Sequence, residues 1–287
     1  MQHSTFKALK RAFMNDVDAE ALKKNAHREP PFIQFQIDTV LNGKPHVKRF
    51  LEIRFPQTKH ISKPLLDETV VTYLLFVANI VKYDKLNRTF LRPAAWAGEI
   101  CWIRMLKMLI YCVVTLLYDV RWKSHYFFLL DSTVQDLMLG KTNSLRILFR
   151  NIGMNRFTPQ SFPVENDCEL LHFHSANEFG PYYWQLLHWM AEAFELRHGH
   201  EDVENAKSMW RDFVTSTMYR TLRCYICMRH YRNVSQRFRD KLLKGDDYGE
   251  IWFEIHNVVR SATGKPPYLS ADFERDRQSM RFVLQEK

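Results

Sequence analysis

The stretch RTLRCYICMRHYRNV, residues 220–234, carries two cysteines three positions apart, Cys224 and Cys227. On one helical turn such a pair can close a disulfide and reopen it, and it exchanges electrons when one thiolate is accessible and stabilised. Arg220, Arg223 and Arg229 are close enough in sequence to supply that stabilisation. The plain alternative is two inert core thiols, since free Cys packs as a small hydrophobe. A thioredoxin-type site would need a strand ahead of the motif. Residues 209–219 have a helical pattern instead, so the pair belongs to a helical setting. His230 extends the motif to C-x-x-C-x-x-H, three of the four ligands of a tetrahedral zinc, with His256 or His172 as the fourth. Structural zinc sites pair the first two cysteines with a second compact ligand pair, whereas His198 and His200 offer only H-x-H.

On both sides of the motif the pattern stays helical. Blocks at 179–197 and 201–220 precede it, the second with an acidic start (Glu201, Asp202, Glu204) suited to a helix N-terminus. The block holding the motif runs to about Leu243 and stops at Gly245. Another runs from Tyr248 to Thr263, ended by Gly264 and Pro266-Pro267. A short fifth starts near Ser270 with a capping region. Upstream, Pro159 and Pro163 mark a linker. Before it, helices are predicted near 5–24, 66–83, 93–119, 126–139 and 143–152, with a β-hairpin at 32–40 and 46–55 around Asn42-Gly43. The expected fold is mainly α. A helical N-terminal domain with one hairpin spans 1–160, and a helical C-terminal bundle spans 170–287. The first domain carries no catalytic constellation; scaffold, docking and dimerisation are the roles open to it.

Bulk properties narrow the function. With 46% hydrophobic and 25% charged residues the chain has the balance of a globular protein. Only 9 Gly and 11 Pro exclude collagen-like or low-complexity stretches. Five cysteines are too few, and odd in number, for a secreted disulfide framework. The N-terminus lacks a long apolar segment, so an intracellular setting is expected. The apolar runs at 69–81 and 108–118 fall short of a membrane span and read as buried helices. A net charge of +9 fits an acidic partner or an ordinary basic surface.

Two further blocks share one layout. In FGPYYWQLLH, residues 179–188, Trp184 and His188 are four apart on one helix face, with Gly180 and Pro181 suited to a helix start. In WFEIHN, residues 252–257, Trp252 and His256 repeat the spacing, followed by Asn257 and, past Gly264, Lys265. Aromatic and polar groups converging on one face, then a cation, suit a planar ring system with its phosphates. A satisfied Trp/His core pair is the competing reading in each.

Taken in order, F-G-P-x-x-W-x-x-L-H, C-x-x-C-x-x-H and H-N-x-V-x-x-x-x-G-K-P resemble the Erv/ALR family of FAD-linked sulfhydryl oxidases. The spacings fit as well, 36 residues from His188 to Cys224 and 29 from Cys227 to His256. The resemblance covers about residues 176–287. Within the family, CYICMRHYRNV is most similar to the sulfhydryl oxidases of baculoviruses and related large insect DNA viruses, which also carry a divergent helical region ahead of the oxidase block. The resemblance implies a bundle of four helices plus a short fifth holding FAD without a Rossmann fingerprint, and this chain has no G-x-G-x-x-G. It implies Cys224 and Cys227 as the catalytic pair, Cys227 beside the flavin and Cys224 facing the substrate thiol. It assigns Gly180, Trp184, His188, Cys227, His230, Trp252, His256, Asn257, Arg260 and Lys265 to the flavin. It implies electrons passing from protein thiols through the pair to FAD and then to O2, with H2O2 released. No metal is called for. A homodimer acting in the host cytoplasm or nucleus and in the virion is also implied.

The chain departs from the family at two places: Arg260 stands where many members have a second Asn, and Pro181 where many have Arg. No second C-x-x-C exists, which leaves Cys168 as the one shuttle candidate, Cys101 and Cys112 lying in an apolar helix. The alternatives are a zinc-bound structural protein and a basic nucleic-acid-binding module using Arg220, Arg223, Arg229, Arg232, Arg237 and Arg239. Tyr225, Ile226, Tyr231 and Phe238 interleave with those arginines, so a solvated basic face accounts for them and nucleic acid is not the expected partner.

Overall fold

A computed structural model describes residues 61–86, 95–139, 141–153, 176–222, 225–245 and 247–286. The predicted helix at 5–24, the hairpin, the proline linker, Cys168 and Cys224 lie outside the described residues. Among the described residues every regular element is helical. In chain order these are α1 (Lys63–Leu86), α2 (Ala95–Tyr118), α3 (Ser124–Met138), α4 (Asn143–Asn151), α5 (Ala176–Leu196), α6 (Glu201–Asp212), α7 (Tyr225–Arg237), α8 (Arg239–Lys244), α9 (Tyr248–Ala262) and α10 (Ser270–Gln285).

The apolar runs read as core helices are core helices. In α1, Leu66, Val70, Val71, Tyr73, Leu74, Phe76 and Val77 are buried, and in α2 nearly every side chain from Met105 to Leu117 is buried. A helix apolar all round has to be enclosed. Their threonines satisfy themselves one turn back: Thr69 Oγ1 donates to the Leu65 carbonyl and Thr115 Oγ1 to the Tyr111 carbonyl, both at 2.7 Å. No described helix is long and apolar enough to cross a membrane.

At the centre is α5, which packs on α1 and α2 and also on α9 and α10. Its Leu186, Leu187, Trp189, Met190, Ala191 and Ala193 are buried. The described helices on both sides of the proline linker therefore share one apolar core. The acidic start of α6 does more than suit a helix dipole. Asp202 accepts from Tyr111 Oη at 3.0 Å and from the Trp122 amide at 3.0 Å, tying α6 to α2 and to the turn before α3.

Helix boundaries differ from the sequence reading in four places. First, α5 starts at Ala176, so Gly180 and Pro181 sit inside it rather than at its start. Second, the block expected at 201–220 is α-helical only to Asp212. A π turn (Phe213–Thr217) and a 3-10 turn (Met218–Thr221) come next. Thr215 Oγ1 bonds back to the Arg211 carbonyl at 2.7 Å there, a contact that bends helices. Third, the block expected to run to Leu243 divides at Phe238, whose backbone (φ −99°, ψ 4°) departs from helical values, and Leu242 of α8 is buried in the core. Gly245 then ends α8 at φ +76°, where a Cβ would also come within 2.9 Å of Arg211 Nη2. Fourth, α10 starts at Ser270 as expected, with Leu269 at its cap position, but at 16 residues it is not short.

A charged knot fixes α10 against α5. Glu192 is buried at 2% exposure and takes Arg277 Nε at 3.2 Å and Arg281 Nε. Glu195 takes Arg277 Nη2 at 2.7 Å, Arg281 Nη2, and the Gly249 amide at 2.9 Å. A Cβ at Gly249 would meet Glu192 Oε1 at 2.7 Å. We expect Glu192→Ala to lower stability by about 3 kcal/mol, because two guanidiniums lose their buried partner. Gly249→Ala should cost about 1–3 kcal/mol by overpacking. Urea unfolding followed by far-UV dichroism measures both.

Candidate functional site

The two blocks separated by about 70 residues converge on one site. Trp184 and His188 project from one face of α5, one turn apart, and His256 projects from α9, which packs against it. Trp184 and His256 stack at 4.0 Å between ring centres with 8° between planes. His188 Nε2 and His256 Nδ1 are 3.0 Å apart, hydrogen-bonded through one proton whose owner depends on the tautomers. His188 is buried, while Trp184 and His256 are half-buried. The 4.0 Å stack leaves no gap for a third ring between the two. What the pair offers a planar ligand is an outer face. Ahead of Trp184 by one turn, a Cβ built at Gly180 would meet nothing within 4 Å among the described residues.

Asn257 and Arg260 are engaged with the segment after α9. The Asn257 amide makes a two-way clasp with Tyr268: Nδ2 donates to its carbonyl at 3.1 Å and Oδ1 accepts from its amide at 2.7 Å. Arg260 Nε donates to the Pro266 carbonyl. Gly264, at φ +66°, makes the turn that lets this strap fold back, with the Lys265 amide bonded to the Arg260 carbonyl at 2.9 Å. The Lys265 side chain is exposed. The strap delivers Tyr268 to the histidines, 5.8 Å from His188 and 5.5 Å from His256 between ring centres. Tyr268 Oη donates to Asp276 Oδ2 at 2.6 Å; burial first, and then this bond, push the phenol well up. Phe273 from α10 stacks on Phe253 at 4.5 Å and lies 6.3 Å from His188. Sequence reading missed Tyr268, Phe273 and Asp276, whose only local signal is an aromatic after a Pro-Pro pair.

Trp252 differs from its neighbour His256. It has no exposed surface, and its Nε1 has no hydrogen-bond partner. Its ring is set edge-on to Tyr248, so it belongs to the core rather than to the stack.

Cys227 is disulfide-bonded. It stands in the first turn of α7, half-buried against the core, with His230 one turn further on and also half-buried. Cys112 is a free, fully buried thiol that contacts the Ala206 carbonyl at 3.4 Å. Burial pushes it well up, aided by Asp212, so it stays a neutral core thiol. Among the described residues no group of three or more His, Cys, Asp or Glu side chains is placed to hold a metal. Arg229, Arg237 and Arg239 are exposed, and Arg232 lies over the Tyr219 ring at 5.9 Å.

Compared with known proteins, the chain matches no family model, and no curated protein or solved structure is significantly similar to it.

Losing the Asn257 clasp should free the strap. We expect Asn257→Ala to lower stability by about 1–3 kcal/mol and to speed hydrogen exchange at the Tyr268 amide at least tenfold. Asn257→Asp, which keeps the acceptor, should fall between. Amide exchange followed by mass spectrometry reads this directly.

Proposed function

We propose that the chain is an FAD-linked sulfhydryl oxidase that makes disulfides in protein thiols with Cys224 and Cys227. The observation that carries this reading is the Cys227 disulfide in the first turn of α7. A disulfide sulfur has no thiolate to give zinc, and a helix N-terminus stabilises the thiolate released on reduction. Cys224, three residues earlier, is the proposed partner on the C-x-x-C spacing.

A substrate thiolate attacks the Cys224 sulfur and expels the Cys227 thiolate. A second substrate thiolate then resolves the mixed disulfide, leaving both site thiols reduced and the substrate oxidised. FAD, when bound, would supply the acceptor for the two electrons, with O2 as their final sink and H2O2 as the product. Trp184, His188, His256 and Tyr268 fit a flavin as a half-open aromatic platform, with Lys265 exposed beyond it for phosphate. The stacked pair would hold the flavin from one side, and the His188–His256 hydrogen bond fixes both imidazoles. His230, one turn past Cys227, is the nearest imidazole in sequence to accept its proton. The resemblance also implies a homodimer.

The native protein should be yellow and release about one FAD per chain on denaturation, and should consume O2 with a dithiol substrate. Cys227→Ser and Cys224→Ser should each abolish turnover, by at least about 10³-fold as expected for loss of a nucleophile, while keeping the colour. A folded, colourless protein without thiol oxidase activity would overturn the reading; zinc content and salt-dependent DNA binding would then separate the alternatives.

A further inference from the structure

The chain entering the redox pair is held by two buried phenols from elsewhere in the fold. Tyr231 Oη donates to the Val214 carbonyl at 2.9 Å and lies 3.3 Å from Met218 Sδ. Tyr183 Oη donates to the Thr221 carbonyl. Thr221 Oγ1 donates in turn to the Met218 carbonyl at 2.7 Å. Val214 lies in the π turn, and Met218 and Thr221 in the 3-10 turn, between α6 and the pair. π turns concentrate at functional sites, where they re-aim the chain beyond them. Tyr183 belongs to α5, and its ring is walled by Tyr73 at 4.8 Å and Phe76 at 5.9 Å, both edge-on from α1. Tyr231 is four residues after Cys227, on the same face of α7.

We propose that Tyr183 and Tyr231 are positioning residues for the Cys227 disulfide, and that α1 acts on the redox pair by holding Tyr183 in place. The proposal rests on the reading that Cys224 and Cys227 are the redox pair. Leu222 is extended (φ −88°, ψ 121°), so no helical ladder carries register from the 3-10 turn into α7. The Tyr231 bond spans the break, from α7 back to Val214, while the Tyr183 bond fixes Thr221, the last residue before it. A π turn holds an extra residue, and without the Tyr231 bond the segment is free to relax to α spacing. Each residue of slippage rotates the downstream helix by about 100°. Held in register, the two sulfurs keep a high effective concentration for each other, which favours the disulfide.

The test uses the full chain equilibrated with reduced and oxidised glutathione, then alkylated and read by the mass of the Cys227 peptide. In this exchange two glutathione thiols give two electrons and two protons to the S–S bond, yielding two cysteine thiols and one glutathione disulfide. Tyr183→Phe and Tyr231→Phe should each move the equilibrium at least tenfold toward the thiols, about 30 mV. Thr221→Val should move it the same way by less. Tyr118→Phe is the control. It deletes a partly buried phenol bond, to Asp67 at 2.9 Å, away from the segment; it should cost stability yet leave the equilibrium within twofold of wild type. The proposal is overturned if both site variants stay within twofold, or if the control moves as far as they do. No flavin is needed. A chain without FAD or oxidase activity that shows these shifts sinks the oxidase reading and keeps the positioning role; an active flavoprotein without them does the reverse.

Discussion

Every other contact in this fold rests on the burial of one helix on all sides. Leu186, Trp189, Met190, Ala191 and Ala193 of α5 have no exposed surface, and a helix with no solvated face has to be enclosed by neighbours. Here α1 and α2 are among those neighbours, as are α9 and α10. Each group of interest hangs from that rod: Tyr183 reaches the segment ahead of Cys227, Trp184 and His188 meet α9, and Glu192 and Glu195 anchor α10. A shift of α5 would be felt at all three, because a close-packed interior transmits displacement rather than absorbing it.

This arrangement gives the helices before the linker a physical connection to the candidate site after it. No catalytic constellation was read in their sequence. Yet Tyr73 and Phe76 of α1 pack on the ring of Tyr183, and Tyr111 of α2 holds the start of α6 through Asp202. The start of α6 is thus tied directly to an element before the linker, and the end of the 3-10 turn to Tyr183 of α5, on which α1 packs. The Tyr111 and Tyr183 hydroxyls in these contacts are satisfied by specific partners, which gives the packing direction as well as energy.

Helices and their stops were the most legible part of the sequence. The apolar periodicity of α1 and α2, the acidic first turn of α6, and the glycines at 245 and 264 act through local rules, and each falls where those rules put it. Boundaries that depend on distant partners were not legible. The π turn is bound by a tyrosine seventeen residues later, and Pro181 is carried inside α5. The pairing of Trp184 and His188 on one face followed from helical spacing. The equivalent inference for Trp252 and His256 placed both at the site, whereas burial sends Trp252 to the core.

That the chain is mainly helical, and which side chains share a helix face, was written in the amino-acid order alone, because backbone periodicity and capping are short-range. Packing in three dimensions was needed to stack Trp184 on His256 rather than set it against Trp252, to clasp Asn257 to Tyr268, and to bring Tyr183 and Tyr231 onto the chain ahead of Cys227. Those contacts join residues 11 to 72 positions apart, and they exist only once the burial of α5 has brought the helices together.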